Sequence, residues 1–198
     1  MQNQDICRCP WLDETKPDYV VYHDEEWGVP VHDDNKLFEF LTLECMQAGL
    51  SWYTILKRRE AYRKAFNDFD VCKVAGFDES KIALLSTDAS IIRHRGKIEA
   101  AVNNAKRFIE IQKEFGSFAA YQWSFVGNKT IVNSIKTLED YPVTTKESDA
   151  FSKDLKKRGF KFVGSTTIYA HMQACGMVND HANGCYRKKQ IIDQFQQV

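Results

Sequence analysis

Gly159-Phe160-Lys161-Phe162-Val163-Gly164-Ser165-Thr166-Thr167 is the segment on which the architecture turns. A basic run, Lys156-Lys157-Arg158, precedes it, and the pattern predicts a helix over 149–158 that Gly159 stops. Ser165 is placed to cap a second helix through Ala174, which Gly176 ends. Two helices joined by a glycine-bounded turn put free backbone amides and a helix N-terminus at one point, and an anion suits that point. Two glycines around a turn serve any other helix–helix junction equally well.

Helical punctuation continues outward from there. Asp33 or Asp34 can cap a helix that runs through Lys36 and Leu41 to Ala48, with Gly49 as its stop. Ser51 can cap the next, over 52–66, with Ile55, Leu56, Tyr62 and Phe66 inward. Asp70 and Asp78 are placed to open two short helices, and a long one is expected over 95–115 before Gly116. Strand patterns are scarce, Thr130-Ile131-Val132 being the best. The segment before Asp33 carries no strong helix signal, so something else must hold it. The expectation is an all-α protein forming a single unit over 1–198, without repeats or long linkers.

Composition bounds the function. Of the 198 residues 43% are hydrophobic and 27% charged, the balance of a soluble globular protein. No run approaches the ~20 apolar residues of a membrane span, and the N-terminus lacks a signal pattern, so a cytoplasmic protein is expected. The formal net charge is zero, but the charges are segregated. Acid gathers at residues 13–34 and base at Lys57-Arg58-Arg59, Arg93-His94-Arg95-Gly96-Lys97 and 153–161, so a local basic face could meet a few phosphates. Six cysteines in this setting point to metal ligation or burial rather than to disulfides.

Three further features ask for chemistry. Leu37, Leu41, Glu44 and Ala48 share one helical face, which sets a carboxylate on an apolar stripe. Such a group is costly to bury unless paired, and it marks a site, a structural ion pair or a solvent-facing edge. Around it stand Tyr19, Tyr22, Trp27 and Trp52, whose ring faces suit stacking on a base or attracting a cation, and suit a core as well. Finally, His181-x-x-x-Cys185 has ligand-pair spacing, and Cys9 and His23 could complete a tetrahedral site; by spacing alone Cys7 competes with Cys9.

Tyr22-His23-Asp24-Glu25-Glu26-Trp27-Gly28-Val29-Pro30 and Leu43-Glu44-x-x-Gln47-Ala48-Gly49-Leu50-Ser51-Trp52, taken together, resemble the N-terminal signatures of the bacterial type I 3-methyladenine DNA glycosylase family. Ile91-Ile92-Arg93-His94-Arg95-Gly96-Lys97-Ile98, Trp123-Ser124-Phe125-Val126, the run from Lys156 to Gly164, and Met172-Gln173-Ala174-Cys175-Gly176-Met177-Val178-Asn179-Asp180-His181 extend the resemblance over residues 7–186. Departures are few: Ser90 stands where the family commonly has glycine, and Cys45-Met46 and the tail from Arg187 are not diagnostic.

The resemblance implies the helix-hairpin-helix glycosylase fold, with one structural Zn2+ on Cys9, His23, His181 and Cys185 joining the two ends of the chain. It implies a monomer acting on double-stranded DNA that contains 3-methyladenine, and hydrolytic release of the flipped base. Glu44 and Tyr22 would be catalytic, Trp52, Trp27 and Tyr19 would bind the base, and Lys161, Gly164 and Ser165 would touch the DNA backbone. No lysine nucleophile stands out, so no strand cleavage is expected. Asp180 has two readings: activation of water, or orientation of the adjoining metal ligand His181, the second being favoured.

Overall fold

The computed structural model describes residues 6–195, so both ends of the expected 1–198 unit lie outside it. Among the described residues the protein is predominantly helical. α1 (Pro17–Glu25) leads to α2 (Asp34–Gln47), α3 (Trp52–Leu56) and α4 (Arg59–Ala65). The short α5 (Val71–Ala75) and α6 (Glu79–Thr87) precede the long α7 (Arg95–Phe115) and α8 (Phe118–Ser124). α9 (Lys146–Lys157), α10 (Ser165–Ala174) and α11 (Tyr186–Phe195) complete the chain. β1 (Ile131–Val132) and β2 (Val178–Asn179) form a two-residue parallel ladder. No helix among the described residues is long and apolar enough to cross a membrane.

The expected stops and starts appear where their chemistry places them. Asp33 caps α2 by accepting from the Lys36 amide at 2.8 Å, and Gly49 follows with φ +83°. Asp70 and Asp78 cap α5 and α6 in the same way. The helix expected over 52–66 is instead two, because Lys57–Arg58 breaks it: Arg58 has φ −103° and ψ 4° at the start of α4. Of its expected inward residues, Ile55, Tyr62 and Phe66 are fully buried and Leu56 is partly buried against the core. Ser165 is not the cap of α10. Gly164 occupies that position without a side-chain bond, and the Ser165 hydroxyl pairs with that of Ser148 at 2.8 Å. α1, α8 and α11 have no counterpart in the sequence-based expectation; α1 opens on Pro17 at its first position with Asp18 in its first turn.

α2 runs through the centre, buried from Leu37 to Met46, with α10 packed along it and α9 on α10. A buried ion network braces its solvent-side end. Arg59 donates to both oxygens of Glu26 at 2.7 and 2.8 Å and to Glu39 at 2.7 Å, so α4, α2 and the end of α1 meet at one guanidinium. Burial opposes ionisation of these two acids, yet Arg59 holds both carboxyls below their ordinary range. At the other end of α2, the buried Lys97 ammonium donates to the Met46 and Ala48 carbonyls at 2.8 and 2.6 Å, satisfying groups the helix leaves open.

Gly176 lies where the chain leaves α10 and passes under the segment that follows α1. Its φ is +72°, and a Cβ there would sit 2.4 Å from the Pro30 nitrogen and the Val29 carbonyl carbon. Gly116 has φ +85° but open space around it. Gly116→Ala should therefore cost about 1 kcal/mol from backbone strain alone. Gly176→Ala should cost roughly 2 kcal/mol or more, since backbone must move as well. Urea unfolding of the two variants measures the difference; equal losses would mean that the close approach at Gly176 is not tight.

Candidate functional site

A cavity of about 400 Å³ opens between α1, α2, the start of α3, α10 and the 138–143 segment. Trp11, Tyr19, Tyr22, Trp27 and Trp52 supply aromatic walls, and Glu44 is the sole carboxylate lining it among the described residues. The structure thus brings together Glu44 and the four aromatics expected to surround it. It also adds residues that sequence reasoning missed: Trp11, Gln47, Leu138, Tyr141, Pro142, Val143, Ala170 and Gln173. Trp11 lies beyond the cluster of acids and aromatics that drew attention to 19–27, and Tyr141 and Gln173 come close only through the fold. A tryptophan two residues after a candidate ligand, Cys9, was the one signal available.

The rings form a continuous wall. Trp11 meets Trp27 edge-on with centroids 4.9 Å apart and Tyr19 at 5.3 Å, while Tyr22 and Trp52 lie 5.2 Å apart. Within this wall Glu44 is 4% exposed, and among the described residues its carboxyl makes no hydrogen bond and its Oε2 has no partner. The Trp11 and Trp52 ring nitrogens on the same wall are equally unpartnered. A fold satisfies nearly all of its buried polar atoms, so orphans collected around one cavity point to an absent occupant. Desolvation pushes the Glu44 carboxyl up to about 8. Burial, helped by Glu44, raises Tyr19 to about 12, and the same two causes lift Tyr22 well above its ordinary value. Such a pocket resists negative charge until something positive enters.

Behind Trp27 lies a second cluster. Cys9, His23, His181 and Cys185 are all buried, with their ligating atoms within 4.8 Å of one another, an arrangement that could hold a metal ion. Cys7, the rival to Cys9, is exposed and stands outside it. The Cys9 sulfur lies 3.4 Å from His181 Nδ1, and the Cys185 sulfur 3.5 Å from the same atom and 3.6 Å from His23 Nε2. The far ring nitrogens are engaged. His23 Nδ1 is 2.7 Å from Asp24, itself held by Arg8, and His181 Nε2 is 2.9 Å from the Trp27 carbonyl. Those contacts fix both rings so that His23 offers Nε2 and His181 offers Nδ1. The Ala182 amide donates to the Cys9 sulfur at 3.3 Å. The His181 ring packs edge-on against Trp27 at 4.7 Å, which couples the cluster to the pocket wall.

Asp180 does not orient the His181 ring, the reading favoured for it. It is fully buried and takes hydrogen bonds from Tyr169, Gln173 and Asn133 at 2.7, 2.8 and 2.7 Å, and among the described residues it makes no hydrogen bond to the His181 ring. The backbone carbonyl of Trp27 is what orients His181.

The 159–165 turn lies apart from the cavity lining. Gly159 has φ +89° and Phe162 +58°. The Lys161 amide is used by Asn104 at 2.8 Å, but the amides of residues 162–167 meet no protein acceptor among the described residues. Lys161 is exposed, whereas Arg158 is not free: it is bound to Asp154 and Glu114. Arg95 is likewise bound to Glu79 and Glu99, and Lys97 is buried, which strips the second basic segment of most of its free charge.

The buried carboxyl has a measurable consequence for stability. Its folded value of about 8 exceeds its ordinary 4.5, so between those pH values the folded protein keeps a proton that the unfolded chain releases. The contribution of Glu44 to stability must therefore fall as pH rises through this window, and it falls no further above it. Glu44→Gln removes that loss. The variant should match wild type near pH 4 and exceed it on the order of a few kcal/mol near pH 8 to 9. Melting temperatures across pH test this; a variant that is less stable at high pH would mean the carboxylate is paired.

The chain matches the family model for methyladenine glycosylase over residues 11–188. It is 52% identical over 178 residues to DNA-3-methyladenine glycosylase 1 of Escherichia coli (strain K12), covering 90% of this chain and 95% of that protein. A solved structure of 3-methyladenine DNA glycosylase I from Staphylococcus aureus superposes with a TM-score of 0.88 at 39% identity, over 92% of this chain and 97% of that one. A 3-methyladenine DNA glycosylase I solved in complex with 3-methyladenine superposes with a TM-score of 0.85 at 40% identity, over 87% and 93%. With identity this high over nearly the whole length, the chain belongs to the methyladenine glycosylase family.

Proposed function

We propose that the chain is a DNA-3-methyladenine glycosylase of base excision repair: it flips the alkylated base out of duplex DNA and releases it hydrolytically, leaving the strand intact. The observation that carries this is the unpartnered Glu44 carboxyl inside an aromatic cavity, in a chain whose relatives are named for that reaction. Extruding a base costs a few kcal/mol of stacking, least for a damaged one. N3-methylated adenine is cationic while attached to the sugar, so it is already a good leaving group and needs no strong acid. What remains is recognition of charge. Trp52 and Trp27 offer ring faces to the cation, with Tyr19 beside them. Glu44 accepts from the amino edge and ionises as positive charge arrives, and Tyr22 presents its phenol next to it. Neutral adenine brings no charge to offset the cost of ionising Glu44.

The hairpin reading assigns the 159–165 turn to the DNA backbone. Its support is the run of free amides at the start of α10, that of Ser165 included, together with exposed Lys161; the Ser165 hydroxyl itself is held by Ser148. Gly164 adds a further argument. Its φ is −61°, and a Cβ there would meet nothing within 4 Å, so the chain itself does not need glycine at this position. A phosphate approaching the amides does. Gly164→Ala should thus leave the melting temperature unchanged and weaken binding to damaged and undamaged duplex alike, roughly tenfold. Unaltered affinity would move the contact elsewhere, with Arg93 the next candidate.

The metal cluster suits one structural zinc per chain. A tetrahedral ion with ordinary zinc–sulfur and zinc–nitrogen bonds sets sulfur and nitrogen about 3.5 Å apart. Three of the four sulfur–nitrogen distances are 3.4, 3.5 and 3.6 Å. Four protein donors close the shell, so the ion would tie the segment before α1 to the one before α11 and hold Trp27 in the pocket wall. Cys9→Ser or Cys185→Ser should lower both zinc content and melting temperature, whereas Cys7→Ser should change neither. A folded, active preparation without metal would overturn the assignment.

Base release decides the function directly. Methylated duplex DNA should yield free 3-methyladenine with wild type and no strand nicks, and Glu44→Gln should lose at least tenfold in rate or binding. No release by wild type would leave a binder of damaged DNA.

A further inference from the structure

Gln173, in the last turn of α10, lines the cavity that holds Glu44, and its side chain is not free to rotate. Its Nε2 donates to Asp180 Oδ2 at 2.8 Å. Tyr169, one helical turn earlier, donates to the same oxygen at 2.7 Å, and Asn133 Nδ2 donates to Oδ1 at 2.7 Å and to the Tyr169 hydroxyl at 3.1 Å. The two-residue ladder sets this up, because Asn133 follows β1 and Asp180 follows β2, and the Asn133 amide extends the pairing to the Asn179 carbonyl at 3.2 Å.

A buried carboxylate ringed by donors offers Gln173 only lone pairs. An amide placed against it must turn its nitrogen toward it, since the oxygen would be repelled. The free end of the Gln173 side chain is therefore Oε1, which no protein donor reaches among the described residues. A glutamine on a pocket wall without such a partner could show either a donor or an acceptor.

We propose that Asp180 locks the Gln173 amide with its oxygen toward the pocket, making Gln173 a second acceptor beside Glu44 that selects purines carrying an amino group over purines carrying a carbonyl at the same ring position. This rests on the glycosylase reading above. Asp180 is here a positioning residue, acting through Gln173. Once a cationic base has ionised Glu44, Glu44 and Gln173 both accept: 3-methyladenine finds partners for its exocyclic amino hydrogens, whereas the carbonyl of 3-methylguanine meets oxygen and is refused.

The test is binding of the two free bases, 3-methyladenine and 3-methylguanine, above the Glu44 midpoint of about 8 where its carboxyl is ionised, read by quenching of tryptophan fluorescence in the full chain. Gln173→Met keeps length and removes the acceptor. It should weaken 3-methyladenine roughly tenfold, change 3-methylguanine little, and so narrow the preference by that factor. Asp180→Asn offers Gln173 either a carbonyl to donate to or an amide nitrogen to accept from, which frees it to flip; 3-methylguanine should then bind more tightly than to wild type. A metal-site disturbance from the neighbouring His181 would weaken both bases together and leave their ratio unchanged. Gln173 is only half-buried, so Gln173→Met decides the matter even if Asp180→Asn does not fold. An unaltered preference in Gln173→Met overturns the inference alone. A wild-type protein that binds neither base overturns the glycosylase reading and this inference with it.

Discussion

The structure is organised around one unfavourable fact, a carboxyl group withdrawn from water with nothing to neutralise it. Glu44 sits in the most buried helix, between rings that offer no hydrogen bond to its Oε2. A chain under no functional constraint would relieve this with a paired cation or an apolar side chain. The cation is not missing for want of candidates. Arg59 and Lys97 are both buried close to α2, but Arg59 is committed to Glu26 and Glu39, and Lys97 to the carbonyls that end the helix. The positive charges nearby hold the frame of the pocket and leave its interior to be neutralised from outside.

Keeping the pocket open in this form requires that its walls not collapse onto Glu44, and they come from opposite ends of the chain. Trp11, Tyr19, Tyr22 and Trp27 are N-terminal, while Ala170 and Gln173 are C-terminal. The Cys9–His23–His181–Cys185 cluster lies where those ends meet and shares Trp27 with the pocket through a ring contact and a carbonyl. Gly28 donates its amide to the Gln173 carbonyl at 3.0 Å, and Gly176 lies hard against Val29 and Pro30, so the same seam is stitched a second and third time. Rigid walls and a desolvated acid are a single device: the first prevents relaxation, and the second turns an arriving positive charge into binding energy.

Much of this was legible in the sequence because it rests on local rules. Asp33, Gly49, Gly116 and Gly159 bound their helices by capping and positive-φ chemistry, and Glu44 declared itself by helical spacing from Leu37 and Leu41. What stayed hidden depends on long-range contact. α1 has few apolar residues at helical spacing and is held by the ion pairs of Asp24 and Glu26 as much as by burial, so no periodicity announced it. At the break between α3 and α4 Arg58 folds back onto the Thr54 carbonyl, an arrangement that no apolar pattern encodes. Trp11 and Tyr141 reach the pocket from irregular segments. Arg158 read as one more free cation until the fold brought Glu114 to it.

The central claim is that Glu44 waits as a neutral acid and becomes a carboxylate when a cation enters. Carbon-13 labelling of the glutamate carboxyls, with Glu44→Gln to assign the resonance, measures this in the intact protein. In the empty protein Glu44 should titrate at about 8. With a permanently cationic N-methylated purine bound, its midpoint should fall by roughly two units or more. A carboxyl that titrates near its ordinary 4.5 in the empty protein, or one that a bound cation leaves unmoved, would contradict the account.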